Sequence, residues 1–178
     1  GDSLGLPGGA VIYEYVPNSN LVNAVNYLDA GANDLAWTIR TYGTSTDHRD
    51  LLTSVENHNG STVMSKYAYQ YDNAGRRTAV LTTGEAFINS AYNIWGYNDR
   101  SELQASNRYN GNQIVIPPDS QTEVTGERRL YHYDPIGNRK DYTFGTGSPL
   151  YYCPNGLNQY DSTGVQQSCP QGNPSESF

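Results

Sequence analysis

The sequence predicts an all-β chain of stacked antiparallel β-hairpins forming an open, twisted sheet. Three observations carry that expectation. Tyrosines recur at every second position, as in YAYQY at residues 67–71, which is the side-chain period of a strand. An aspartate followed three residues later by glycine closes such a run at Asp72 and Gly75, and again at Asp134 and Gly137. The pattern then returns along the chain, with aligned tyrosines at residues 15, 42, 71, 97 and 133.

Taken in order, Tyr13–Val22 (YEYVPNSNLV) is a degenerate first copy. Val25–Thr38 (VNYLDAGANDLAWT) reads as helix or hairpin, and Gly31 with Asn33 favours a turn. Thr41-Tyr42 followed by Arg49–Val55 is a weak second copy. The full unit is Tyr67–Val80 (YAYQYDNAGRRTAV), approached by Ser61–Ala68. In it Tyr67, Tyr69 and Tyr71 face one way. Asp72 accepts backbone N–H groups and starts a turn. Gly75 supplies the positive φ that closes it. The strand returns with Thr78 and Val80 alternating against Arg77 and Ala79. Gly84–Asn93 (GEAFINSAYN) is ambiguous between a short helix and a strand. Trp95–Ser106 (WGYNDRSELQAS) is a further copy, Gly111–Gly126 an inserted loop, and Gly126–Tyr133 the run into Tyr131–Tyr142 (YHYDPIGNRKDY). Tyr151–Tyr160 (YYCPNGLNQY) is the last copy. The domain division expected is a sheet over residues 1–163 and a Gly/Pro/Ser-rich tail over residues 164–178.

The net charge of -7 and pI near 4.8 exclude a general nucleic-acid binder, which needs a basic face. They also argue against docking on anionic membranes, and no run of about 18 apolar residues is available for membrane insertion. The opening GDSLGLPGGAVIYEY has no basic region before an apolar stretch, so a signal peptide is expected to be absent or removed. Leu, Ile, Val and Phe make only 32 of 178 residues, a level at which disorder competes with folding. The 16 tyrosines decide for a folded chain, because each buries a ring while its hydroxyl finds a partner.

Candidate sites are few. Cys153 and Cys169 stand 16 positions apart; a disulfide between them suits an oxidising compartment and closes a loop worth about 3 kcal/mol, and the spacing equally admits two free thiols. His48, His58 and His132 form no zinc-type cluster, so no metal or other cofactor is expected. Ser45, Asp47 and His48 read as a polar loop rather than a triad. Asp72 and Asp134 are explained as turn formers without glycosidase chemistry. FGTGSP lacks a phosphate-loop lysine. Arg76-Arg77 and Arg128-Arg129 read as strand-face charges. Asn59-Gly60-Ser61 is an N-glycosylation pattern.

At YAYQYDNAGRRTAV, YHYDPIGNRKDY and the ending NGLNQY, the sequence resembles the YD-repeat, or Rhs-repeat, family. The resemblance runs over residues 11–163 and is strongest from 64 to 160. It implies long twisted sheets with one hairpin per repeat, which in family members spiral into shells around toxic segments or serve cell adhesion. It implies that Tyr69, Tyr71, Asp72, Gly75, Arg76, Tyr131, Tyr133, Asp134, Gly137 and Arg139, with the aligned Tyr97, are structural positions. The chain departs from toxin shells in having about six copies, no aspartate-rich self-cleavage region and no toxin-like tail. The expectation is therefore a non-enzymatic, extracellular or cell-surface structural protein that self-associates by strand edges and terminal contacts into a filament. A fragment of a toxin-enclosing shell and a glycan- or cell-binding adhesion module are the alternatives.

Overall fold

The computed structural model describes residues 9–44, 49–155, 157 and 159–165, except the side chain of residue 161. The strands are β1 (Ala10–Tyr15), β2 (Val22–Leu28), β3 (Asp34–Tyr42), β4 (Leu52–Asn59), β5 (Thr62–Tyr71), β6 (Arg77–Thr83), β7 (Ala91–Tyr97), β8 (Leu103–Asn110), β9 (Arg129–Tyr133), β10 (Arg139–Phe144), β11 (Leu150–Pro154) and β12 (Tyr160–Gly164). They form one open antiparallel sheet in which every strand lies beside its sequence neighbour. The fold class read from the tyrosine spacing is the one observed. Odd strands therefore end, and even strands begin, at one edge of the sheet, called here the corner edge.

The chain divides into two compact units. The first takes the described part of Gly1–Asn93 with Tyr109–Thr122. Its buried apolar residues are Ala24, Val25, Ala79, Val80, Ala91, Tyr92 and Tyr109. Tyr92 stacks on Tyr109 with ring centroids 5.2 Å apart. The Thr82 hydroxyl donates to the Ala91 carbonyl at 2.9 Å. Strand β6 departs from the expected alternation, because Ala79 and Val80 are both buried. Small and branched side chains flanked by longer ones on neighbouring strands are covered on either face. Gly84–Asn93 is no helix: residues 84–90 turn and β7 begins at Ala91.

The second unit takes Ile94–Arg108 and the described part of Glu123–Phe178. Its buried residues are Ser106, Asp141 and Cys153. The run toward Tyr133 expected from residue 126 is shorter in the structure: Thr125–Glu127 is a 3-10 turn and β9 starts at Arg129. The tail beyond residue 165, the opening eight residues and the Ser45–His48 segment lie outside the described residues.

Most strand residues are half-buried rather than alternately buried and exposed. A chain so poor in aliphatic residues is held by its backbone ladders and by cross-strand side-chain pairs more than by a deep core.

Candidate functional site

The residues singled out by the sequence gather at the corners. At Asp72, Oδ1 accepts the backbone N–H of Ala74 and of Arg76, each at 3.0 Å. Oδ2 accepts the Arg76 Nε at 2.7 Å. The Asp72 N–H donates to the Arg76 carbonyl at 3.0 Å, and Gly75, at φ 76°, donates to the Asp72 carbonyl at 2.9 Å. One carboxylate thus organises a five-residue turn. Asp134 repeats it: Oδ1 takes the N–H of Ile136 and Asn138, Oδ2 takes Asn138 Nδ2 at 2.8 Å, and Gly137 has φ 95°.

The same turn appears where no aspartate-to-glycine pair announces it. Asn98 Oδ1 accepts the N–H of Arg100 and Glu102, and the positive φ of 64° falls on Ser101. Asn155 Oδ1 accepts the N–H of Leu157 and Gln159. Asp29 builds one at the opposite edge, with Oδ1 bound by the N–H of Gly31 and Asn33 and a φ of 61° on Ala32. What the turn needs is an acceptor on a short side chain reaching the N–H groups two and four residues on; asparagine and aspartate both supply it.

Electrostatics agree with this use. Partial desolvation by itself pushes the Asp72 carboxyl up. The Arg76 N–H, the Arg76 side chain and the Ala74 N–H together outweigh it and hold the group below the usual carboxylate range. Asp134 is likewise held down against desolvation by the Asn138 side chain and the N–H groups of Asn138, Ile136 and Gly137. Asp29 is lowered first by the Asn33 N–H and then by the Asn33 side chain.

The aligned tyrosines Tyr15, Tyr42, Tyr71, Tyr97 and Tyr133 are each the last residue of an odd strand. At Tyr15, Tyr42 and Tyr71 the ladder shifts register at that residue, a bulge that re-aims the ring. Three of the hydroxyls then reach the strand before. Tyr42 donates to the Val22 carbonyl at 2.9 Å, Tyr71 to Leu52 at 2.6 Å and Tyr133 to Leu103 at 2.9 Å. Val22, Leu52 and Leu103 are each the first residue of an even strand. Every such bond ties a corner to the hairpin before it. Arg100 adds a second tie, from its guanidinium to the Asp134 carbonyl at 2.7 Å and to the Pro135 carbonyl.

A third relation crosses the hairpins of the Asp72 and Asp134 corners. Arg77 lies over the Tyr69 ring at 4.3 Å and Arg139 over the Tyr131 ring at 4.8 Å. At the last corner Tyr160 takes the arginine's place against Tyr152, with centroids 5.1 Å apart. The equivalent of Arg139 in the Tyr67–Val80 copy is therefore Arg77. Arg76, grouped with Arg139 in the sequence reading, instead closes its own turn on Asp72.

Other candidates sit elsewhere. Asn59 is the exposed last residue of β4, facing Thr62 across a two-residue turn in which Gly60 has φ 55°. His58 stacks on Trp37 at 5.0 Å and lies 3.4 Å from Glu56, and His132 pairs with Asp141 at 2.7 Å. Among the described residues no group of three or more His, Cys, Asp or Glu side chains could hold a metal ion. Cys153 is buried in β11 and is not a free thiol; Cys169 lies outside the described residues. Among the described residues no helix is long and apolar enough to cross a membrane.

Comparison with known proteins gives three findings. Residues 47–86, which include β4, β5, the Asp72 corner and β6, match the family model RHS Repeat. The chain is similar to the Photorhabdus luminescens Tc holotoxin pore at 11% identity and a TM-score of 0.46, over 88% of this chain and 10% of that one. It is similar to the crystal structure of TcdB2-TccC3-TEV at 12% identity and a TM-score of 0.44, over 86% of this chain and 10% of that one. The chain thus spans about a tenth of the length of these structures. No curated protein matches it. The stretch that matches the RHS Repeat model, residues 47–86, is the one that carries the Asp72 corner, the Tyr71 bond to the previous hairpin and Arg77 over the Tyr69 ring.

Proposed function

We propose that the chain is a non-enzymatic structural module whose hairpins build sheet within a longer RHS-repeat assembly. The observation that supports it best is how the conspicuous polar groups are used. The oxygens of Asp72 and Asp134 bind their own turns, and the hydroxyls of Tyr42, Tyr71 and Tyr133 bind the preceding hairpin. Groups committed in this way act as fasteners, and the same fastening repeated hairpin after hairpin adds strands to one sheet.

An extracellular or cell-surface setting is part of the proposal. It is supported by the exposed Asn59 in its tight turn, suited to glycan attachment, and by Cys153, which is not a free thiol, since a Cys153–Cys169 bond would suit an oxidising compartment. Intact mass under non-reducing conditions, with and without thiol alkylation, reads that bond directly. The structural reading itself is tested by substituting Asp72 and Asp134 with alanine. Loss of thermal stability, with no turnover of glycoside or ester substrates by the parent chain, supports it. Turnover that disappears in Asp72→Asn while the melting temperature holds would defeat it.

A further inference from the structure

Among the described residues, β1 carries a fastener without a partner. On β3, β5 and β9 the tyrosine ending the strand gives its hydroxyl to the carbonyl of the first residue of the even strand before it, Tyr42 to Val22, Tyr71 to Leu52 and Tyr133 to Leu103. Tyr15 holds the same place at the end of β1, with the same bulge, but no described strand precedes β1. Tyr15 is 55% exposed, and Ile12 and Tyr13 on the same strand are 46% and 55% exposed, whereas Tyr42, Tyr71 and Tyr133 are half-buried.

The complementary half stands at the other end of the order. Tyr160 is the first residue of β12, the place that Val22, Leu52 and Leu103 occupy on their strands. The residue opposite it is Pro154, which has no N–H to donate to the Tyr160 carbonyl. Strand β12 pairs only with β11 among the described residues. An odd strand ends at the corner edge and an even strand begins there, so β12 laid against β1 continues the antiparallel alternation of the sheet.

We propose that β1 receives β12 of a second copy of this chain, the Tyr15 hydroxyl donating to the Tyr160 carbonyl. The inference rests on reading the chain as a sheet-building repeat. It adds which edge meets which, and through which atoms. Unpaired strand edges are templates for such addition. A contact between two different surfaces of one protein propagates head to tail.

The test uses the 178-residue chain in sedimentation over a range of concentrations, together with the variant carrying benzoylphenylalanine in place of Tyr13. Mass that grows with concentration, and photo-crosslinks from position 13 to Tyr160–Gly164 of another copy, are expected. Tyr15→Phe should weaken association about two- to tenfold, the worth of one hydrogen bond, with an unchanged circular dichroism spectrum. A strict monomer, crosslinks mapping away from β12, or association indifferent to Tyr15→Phe overturns the proposal. Tyr71→Phe, which removes an interior fastener, separates the two readings. If it lowers the melting temperature while the chain stays monomeric, the structural-repeat reading stands and the docking alone fails.

Discussion

At the scale of single residues, the corner is a contest between backbone strain and side-chain hydrogen bonding. Gly75 holds φ 76°, and a Cβ added there meets only Leu51 Cδ1 at 3.7 Å, so the obstacle to a side chain is the backbone itself. Gly75→Val should therefore cost about 2 kcal/mol, the strain of the left-handed region for a bulky residue, read as a fall in denaturant midpoint. Ala32 pays that strain already, at φ 61° in the Asp29 corner. Ala32→Gly should stabilise by up to about 1 kcal/mol, the relief of strain less the entropy glycine adds to the unfolded chain. Protonation gives a separate handle. The Asp72 and Asp134 carboxyls lie below their ordinary value in the folded chain, so they stabilise above the unfolded pKa of about 3.9. That contribution is lost as pH falls from about 4 through the folded pKa. Asp72→Asn keeps the acceptor for the Ala74 and Arg76 N–H groups, as Asn98 does in its own corner. The variant should show a shallower loss of stability between pH 4 and 2 than the parent, and an unchanged acid profile would mean that Asp72 is not ionised in its turn.

At the scale of the hairpin, the question is what makes one turn-bearing ribbon add to the next. Backbone ladders alone leave the strand ends free to splay. The tyrosine hydroxyl fixes the end of β5 to the start of β4 through Leu52, and Glu56 with Lys66, 2.6 Å apart, pairs the same two strands further along. Tyr71→Phe should cost about 1 kcal/mol, because the ring stays and only the hydrogen bond to a half-buried carbonyl is lost. A double-mutant cycle with Asp72→Ala should show coupling, since the corner positions the ring that the hydroxyl extends; additive effects would mean that corner and tyrosine act independently. Gly84 is the severest position on the opposite edge. At φ 118° its added Cβ would stand 2.6 Å from the Met64 carbonyl oxygen, a backbone atom that cannot swing aside. Gly84→Ala should therefore destabilise more than Gly75→Ala, although only the glycine at 75 lies in a visible motif. Thermal melts of the two variants side by side decide the order.

At the scale of the whole chain, the sequence shows most clearly what is local. Asp72-to-Gly75 and Asp134-to-Gly137 are readable because acceptor, turn and glycine lie within five residues. The Asp29 corner is not readable in the same way: its glycine stands one position early, and the left-handed residue is Ala32. Nor could spacing reveal that Tyr42, Tyr71 and Tyr133 bond to Val22, Leu52 and Leu103, because those partners are 19 to 30 residues away and are fixed only once the strands are laid in order. The burial of Ala79 beside Val80 escapes a two-residue period for the same reason, since it comes from side chains on neighbouring strands. That order has an energetic consequence. Each strand pairs with its neighbours in sequence. Stability in such an arrangement is close to a sum of nearest-neighbour terms, and damage stays near its origin. Native-state hydrogen exchange on Gly84→Ala should show amides of β5 and β6 exchanging faster while those of β9, β10 and β11 keep the parent's protection. A uniform loss of protection from β2 to β11 would mean instead that the chain unfolds as one cooperative body, and that its hairpins are not separable units of stability.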